Sequence, residues 1–140
     1  MKIILTILII VMSFTSNAFG QTKKLDIVIK GIEEVQGQVI VLVFNKKEHF
    51  PNDQKLAKRF KFPVIGKEMT VSVNLLVEDC AIFVYHDKDN NEKCNQNKLG
   101  MPKEKIAFSN NVKPKLKAPS FESAKVDKDA TKISVELYDF

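Results

Sequence analysis

Apolar and polar residues alternate with a period of two over much of the chain that follows residue 20. In the segment 24–30, Leu25, Ile27 and Ile29 are separated mainly by polar residues, which predicts a strand with one face toward solvent. The segments 69–76 and 131–137 repeat the pattern. The residues expected to face the core from these three strands are Leu25, Ile27, Ile29, Val71, Val73, Leu75, Ile133, Val135 and Leu137.

Further segments complete a β-rich pattern. Residues 38–45 are apolar on both parities and rich in β-branched side chains, which predicts a central strand buried on both faces. Residues 61–66, 80–86 and 120–127 are the other strand candidates, and residues 127–130 would form a hairpin turn before the last strand. About seven strands with regularly spaced turns indicate an all-β fold, an antiparallel β-sandwich.

Two segments depart from the strand pattern. Residues 53–59 follow a Pro-Asn pair and predict one or two turns of helix. Residues 86–120 lack periodicity and are rich in Asn, Lys, Gly and Pro, so we expect a long loop there. Loops of this length in compact domains often carry function. Within the loop, Ile106 and Phe108 would dock on the core.

The N-terminal residues have the three-part composition of a secretory signal peptide. Lys2 supplies a positive charge, residues 3–14 are almost wholly apolar, and Ala18 and Gly20 stand at the −3 and −1 positions of a cleavage site. A membrane anchor is the alternative, but an apolar core of about a dozen residues is short of the roughly 20 needed to span a bilayer. We therefore predict an exported protein, periplasmic or secreted, with a single mature domain over residues 21–140 and no membrane span after cleavage.

The charge pattern argues against a nucleic-acid partner. The formal net charge is +5, and loss of Lys2 with the leader lowers it by one. Arg59 is the only arginine, and the lysines are mixed with acidic residues. Nucleic-acid readers concentrate arginine and lysine on one face. We expect a monomer that binds no nucleic acid.

Cys80 and Cys94 both belong to the predicted exported domain. An even number of cysteines in an oxidising compartment permits a disulfide between them. The alternative is two separate thiols, one of them buried. A strand that begins at Cys80 carries the chain about 20 Å away, so the loop that follows would have to fold back fully for Cys94 to reach it.

The segment "HDKDNNEKCNQNKLGMPKE", residues 86–104, holds a candidate Ca²⁺ loop. Calcium takes six to eight oxygen ligands at about 2.4 Å. Asp87, Asp89 and Asn91 occupy the first three ligand positions of an EF-hand-like loop, and the carbonyl of Lys93 would be the fourth. Asn95 is a further candidate, and the pattern predicts a Ca²⁺ site of low affinity.

The rest of the EF-hand pattern is missing. The position that needs Gly holds Glu92, and the position that needs a bidentate Glu holds Lys98. Asn95, Asn97 or Glu104 would have to complete the ligand shell by folding back. The alternative is an ion-free loop, because Asp and Asn side chains order such segments by bonding to their own backbone.

Two classes of function remain open. The first is a non-enzymatic domain that binds an envelope protein or a glycan through residues 86–120. The second is a small metal-dependent hydrolase that uses His49, His86 and Asp87. No other arrangement of residues indicates catalysis, so we predict that the chain is not an enzyme. A pocket that joins both histidines would favour the hydrolase.

The segments "AIFVYHDKDNNEKCNQNKLGMPKE", "AFSNN" and "APSF" resemble the motifs of a bacterial family known as domain of unknown function 2141. The resemblance implies export and a β-sandwich of the transthyretin-like or carboxypeptidase-regulatory-like kind, with no established activity. The predicted fold is thus a transthyretin-like or Ig-like sandwich. The chain departs from the family pattern at four motif positions. Cys80 stands where the family has Tyr, Asp89 replaces Asn, Glu92 replaces Gly and Asn95 replaces Asp.

Overall fold

A computed structural model describes residues 20–140, which form eight strands and one short helix. The predicted signal peptide therefore lies outside the described residues, apart from Gly20. The elements are β1 (Thr22–Lys30), β2 (Gln38–Phe44), β3 (Lys58–Pro63), β4 (Met69–Leu76), β5 (Cys80–Asp87), β6 (Ile106–Phe108), α1 (Phe121–Ala124), β7 (Lys125–Val126) and β8 (Lys132–Glu136). No helix within residues 20–140 has the length and apolar character needed to cross a bilayer.

The strands form two sheets, which confirms the predicted all-β sandwich. The smaller sheet has the order β4-β1-β8, and the larger has the order β3-β2-β5-β6 with β7 also paired to β5. All pairs are antiparallel except β1–β8, which is parallel and sets Asp26 opposite Lys132. The prediction of a purely antiparallel sandwich was wrong at this pair, because alternation shows which face of a strand is apolar but not the direction of its neighbour.

The main core lies between the two sheets. β4 alternates strictly between buried and exposed residues, and β1 does so nearly as regularly. Their inward side chains pack against those of β2 and β5, as the alternation predicted. On β8, Val135 is fully buried and Leu137 follows it into the core. The smaller sheet thus has one face in the core and one toward solvent.

The larger sheet is buried on both faces at its centre. All eight residues of β5 are buried, as are the last six of β2. A second apolar cluster covers the face turned away from the smaller sheet, and it includes Phe44, Phe50, Phe83 and Phe108. The rings of Phe83 and Phe108 stack with centroids 4.9 Å apart. The prediction that residues 38–45 form a doubly buried strand is confirmed, and the 86–120 loop contributes to the second cluster.

Three local predictions need correction. Residues 120–127, predicted as a strand, form the helix α1 at Phe121–Ala124 and then only the two-residue strand β7. Residues 53–59 form a 3-10 turn at Gln54–Leu56 and then enter β3, so the helix is shorter than expected. Residues 127–130 do form a turn, with Ala130 N donating to Asp127 O at 3.0 Å, but the strands beside it lie in different sheets. The ammonium of Lys23 in β1 donates to three carbonyls of this turn, which holds it as a crossover rather than a hairpin.

Candidate functional site

Asp87, at the end of β5, fixes the base of the loop. Its carboxylate is fully buried and accepts hydrogen bonds from Gln38 Nε2 at 2.8 Å, Glu92 N at 2.9 Å and Asn91 N at 3.1 Å. Burial acts to raise the pKa of Asp87, but the bonds from Gln38 and from the backbone of Glu92 outweigh it and hold the pKa below 3.8. Asp87 is therefore an ionised group that organises the loop around itself.

Side chains bond to nearby backbone along the first half of the loop. Asn91 N donates to Asp89 Oδ1 at 3.3 Å, and Lys93 N donates to Asn91 Oδ1 at 2.8 Å. Asn91 Nδ2 donates to Asn95 Oδ1 at 2.9 Å. These are the Asx-type contacts that the ion-free interpretation predicts, and they give the segment a defined shape.

Glu92 adopts the left-handed conformation where the EF-hand pattern has glycine, with φ of 63°. Its carbonyl accepts from Tyr85 Oη at 3.0 Å and from Arg59 Nη1 at 3.1 Å, and its carboxylate pairs with Lys61. A non-glycine residue in this conformation costs about 1–2 kcal/mol, and these contacts from the sheet offset that cost. The replaced glycine thus does not prevent the tight turn.

Glu104 folds back toward the start of the loop. Only 8% of the residue is exposed, and Oε2 accepts from Asn95 N at 3.1 Å. Carboxylate oxygens of Asp87, Asp89 and Glu104 all lie within 4.8 Å of one another. No lysine or arginine of residues 20–140 forms an ion pair with these three acids. We call this group the carboxylate cluster.

The environment of Glu104 makes its ionised form unfavourable. Burial raises the pKa of Glu104 to about 7, and the negative charges of Asp87 and Asp89 add to the effect. Bound protons or a bound cation would both relieve this repulsion. The cluster is therefore a place where the fold retains uncompensated negative charge near neutral pH.

We expect Glu104→Gln to be more stable than the parent protein by about 2 kcal/mol at pH 8 without divalent cations, and about equal to it at pH 5. The folded-state pKa of Glu104 lies above its ordinary value of 4.5, so the folded state holds this proton more tightly. Stability is then lost as pH rises from about 4.5 to about 7, and glutamine, which resembles the protonated acid, removes that loss. Urea denaturation between pH 5 and pH 8 measures it.

The exposed Glu48, which lies on the segment after β2, provides the control. Glu48→Gln should follow the pH dependence of the parent. Stability curves for Glu104→Gln and the parent that run parallel across this range would contradict the role given to Glu104.

The structure brings only part of the predicted ligand set together. Asp87 and Asp89 belong to the cluster. Asn95 lies beside it, with Nδ2 3.5 Å from oxygens of both Asp89 and Glu104. The side chain of Asn91 is used in a hydrogen bond within the turn, because its Oδ1 accepts from Lys93 N. The sequence pattern indicates Glu104 only as one of three candidates for folding back, because its separation from Asp87 along the chain does not predict where its side chain lies.

The Ser-Asn-Asn motif after β6 serves the fold. Ser109 is fully buried, and its hydroxyl accepts from Ile82 N at 2.9 Å and donates to the carbonyl of Ala124. Asn110 donates to the carbonyls of Ser123 and Lys125. Asn111 adds two contacts to β8. These hydrogen bonds attach α1, β7 and β8 to the end of β6. The structural role explains the residue types of the motif, and no catalytic role is needed.

The two histidines lie apart. His86 is fully buried, and its Nε2 is 2.8 Å from Gln36 O. It stands opposite Val39 near the start of β2, whereas His49 follows the far end of β2 at Phe44. About six residues of extended strand, roughly 20 Å, separate these levels. The structure therefore does not unite His49, His86 and Asp87 in one site.

The cysteines are free and lie on opposite faces of the larger sheet. Cys80 faces the core between the sheets, and Cys94 packs against the second cluster on the other face. Burial raises the pKa of Cys80 to about 11 and that of Cys94 to about 12. The disulfide that the cysteine count permitted is absent from this structure, because the sheet itself stands between the two thiols.

One comparison with known proteins gave a match. The model of the bacterial family described as "Uncharacterized protein conserved in bacteria (DUF2141)" matches residues 27–136, which run from β1 to the end of β8. No curated protein and no solved structure matches the chain.

Proposed function

The chain belongs to the DUF2141 family of bacterial proteins, and we propose that it is an exported, non-enzymatic β-sandwich whose 86–120 loop binds a partner of the cell envelope. In this proposal the partner is an envelope protein or a glycan. The carboxylate cluster binds Ca²⁺ with low affinity, and the bound ion stabilises the conformation of the loop.

The observation that carries the proposal is the spacing of the three carboxylates. Calcium binds oxygens at about 2.4 Å, so two oxygens on opposite sides of one ion are about 4.8 Å apart. The oxygens of Asp87, Asp89 and Glu104 lie within that span.

The affinity should be low. Three carboxylates are fewer anionic ligands than a tight site uses, and two hydrogen bonds to the Asp87 carboxylate from the backbone already occupy part of its capacity. The burial of Glu104 adds a cost to its ionised form. These features suit an extracellular type of site, with Kd of order 10⁻⁴ to 10⁻³ M.

We expect 10 mM Ca²⁺ at pH 7.5 to raise the melting temperature of the mature protein by about 5 to 10 °C. Binding to the folded state alone stabilises it by RT ln(1 + [L]/Kd), which is about 1.4 to 2.7 kcal/mol over this range of Kd. A stabilisation of about 1 kcal/mol shifts the melting temperature of a domain of this size by some 3 to 6 °C. Differential scanning fluorimetry or calorimetry measures the shift.

Asp89→Asn should abolish the shift, since it removes a cluster charge from an exposed side chain and keeps an acceptor for Asn91. Asp53→Asn, which changes an exposed acid outside the carboxylate cluster, should leave the shift intact. A shift of equal size with Mg²⁺, or one that persists in Asp89→Asn, would show a general ion effect and refute the site.

A further inference from the structure

An apolar groove opens beside the carboxylate cluster on the outer face of the larger sheet. Its cavity has a volume of about 440 Å³. Phe83, Ile106 and Phe108 form its floor, and Gln96 with residues 99–102 forms one wall and residues 114–118 the other. The remaining lining residues are Pro51, Asn52, Gln54, Cys94 and Phe140. We call it the loop groove. Concave, mostly apolar sites of about 300–1,000 Å³ are typical of small-ligand binding.

The walls of the loop groove expose aliphatic side chains to solvent. Leu116 is 100% exposed and Leu99 is 84% exposed, and Met101 is also exposed on the same wall as Leu99. Single exposed apolar residues are ordinary, but a contiguous group around a concave surface marks a binding site. Each of these residues lines the groove.

The charged side chains that line the groove are all positive. They are Lys115 and Lys117, and among residues 20–140 no acidic side chain lines it. Neither lysine takes part in an ion pair within the described residues 20–140. The apolar floor and the cationic wall together are complementary to a molecule with an apolar body and an anionic end.

In the part of the chain that the structure describes, the edge of β6 beside the groove is occupied at Ile106. The outer edge of β6 is already paired with Tyr138, since Ile106 N donates to Tyr138 O at 3.0 Å and Tyr138 N donates to Ile106 O at 2.9 Å. Strand addition needs unpaired backbone groups at an edge. The occupant is therefore held by its apolar surface and its charge.

We propose that the loop groove binds an amphiphilic carboxylate: a single acyl chain or similar apolar body that lies on Phe83 and Phe108, with its anionic end beside Lys115 and Lys117. This inference goes beyond the envelope protein or glycan proposed as the partner of the 86–120 loop: it adds a small amphiphile as a second ligand of that loop.

Isothermal titration of the mature protein with dodecanoate, kept below its micelle concentration, tests the proposal. We expect one saturable site. Dodecanol, of equal chain length and no charge, should bind about tenfold more weakly, and dodecyltrimethylammonium should show no saturable binding. Absence of saturable dodecanoate binding, or equal binding of the cationic amphiphile, would overturn the proposal.

Two variants locate the site. Leu116→Asp changes a fully exposed side chain, so it leaves the fold intact while placing a negative charge in the groove, and it should abolish dodecanoate binding. The double change Lys115→Gln and Lys117→Gln should weaken dodecanoate binding about tenfold and leave dodecanol binding unchanged.

Matched controls are Val35→Asp, at an exposed apolar residue between β1 and β2, and Lys67→Gln, before β4; both should bind as the parent does. Binding that survives Leu116→Asp would refute the groove.

The dodecanoate titration is run without Ca²⁺, because Ca²⁺ precipitates long-chain carboxylates, and the Ca²⁺-dependent melting is measured separately, so that the two proposals fail separately. Absence of dodecanoate binding together with an intact Ca²⁺ shift refutes the groove ligand alone. Dodecanoate binding without any Ca²⁺ shift supports the groove ligand and refutes the bracing ion.

Discussion

Gly37→Ala is expected to lower the free energy of unfolding by about 4 kcal/mol, the largest effect of any single substitution proposed here. Gly37 has φ of 68°, and a Cβ there would lie 2.3 Å from Asp87 O and 2.7 Å from Lys88 Cα. Both contacts are with backbone, so relief requires β2 or the start of the loop to move. Urea denaturation at pH 7 measures the loss.

Gly100→Ala is the matched control. Gly100 also has a positive φ, of 80°, but a Cβ there meets nothing within 4 Å. The free energy of unfolding of Gly100→Ala should therefore fall only by the cost of a non-glycine residue at positive φ, about 1 kcal/mol. An equal decrease in the free energy of unfolding of the two variants would mean that the close approach of Gly37 to Asp87 does not limit the residue type at position 37.

Asp87→Ala is expected to lower the free energy of unfolding by about 3 kcal/mol and to abolish the response to Ca²⁺. The change removes a buried carboxylate and leaves three donors without their acceptor. They are Gln38 Nε2, Asn91 N and Glu92 N. Hydrogen bonds to a charged group contribute about 1.5–3 kcal/mol each, and part of that is recovered by water or local rearrangement. Urea denaturation and Ca²⁺-dependent melting measure the two effects.

Asp89→Ala separates the two roles of the cluster. Asp89 is exposed and bonds only within the loop, so its loss should cost about 0.5 kcal/mol. It should nevertheless abolish the Ca²⁺ response as fully as Asp87→Ala does. A destabilisation of Asp89→Ala equal to that of Asp87→Ala would show that the loop depends on charge balance rather than on the buried hydrogen bonds.

Strand identities were predictable because burial on one face leaves a period of two. β4 shows this most clearly, with Val71, Val73 and Leu75 buried and the residues between them exposed. Sheet membership was less predictable. β7 has only two residues, Lys125 and Val126, and it pairs with β5. A two-residue strand carries no periodic pattern. Asn110 donates to Lys125 O in this strand, and Ser109 donates to the carbonyl of Ala124 just before it.

The candidate site was half predictable. Asp87 and Asp89 could be named because local spacing along a loop decides which side chains point to a common centre. Glu104 could not be selected over Asn97, since that choice depends on a turn in which Lys103 N donates to Asn95 O and Asn97 N donates to Met101 O. Asn97 caps this turn by accepting from Leu99 N and Met101 N, which removes it from the cluster.

The parallel pairing of β1 with β8 governs the order in which the chain can fold. Lys23 and Asp127, which are in contact beside this pair, are 104 residues apart. During synthesis from the N-terminus, β1 can pair with β4 early. The other edge of β1 stays unpaired until β8 has been synthesised. Closing such non-local pairs is slow, and an open edge is prone to intermolecular pairing. A chain that stops before Lys132 would therefore keep one edge of β1 unpaired, and the smaller sheet is complete only once β8 has been synthesised.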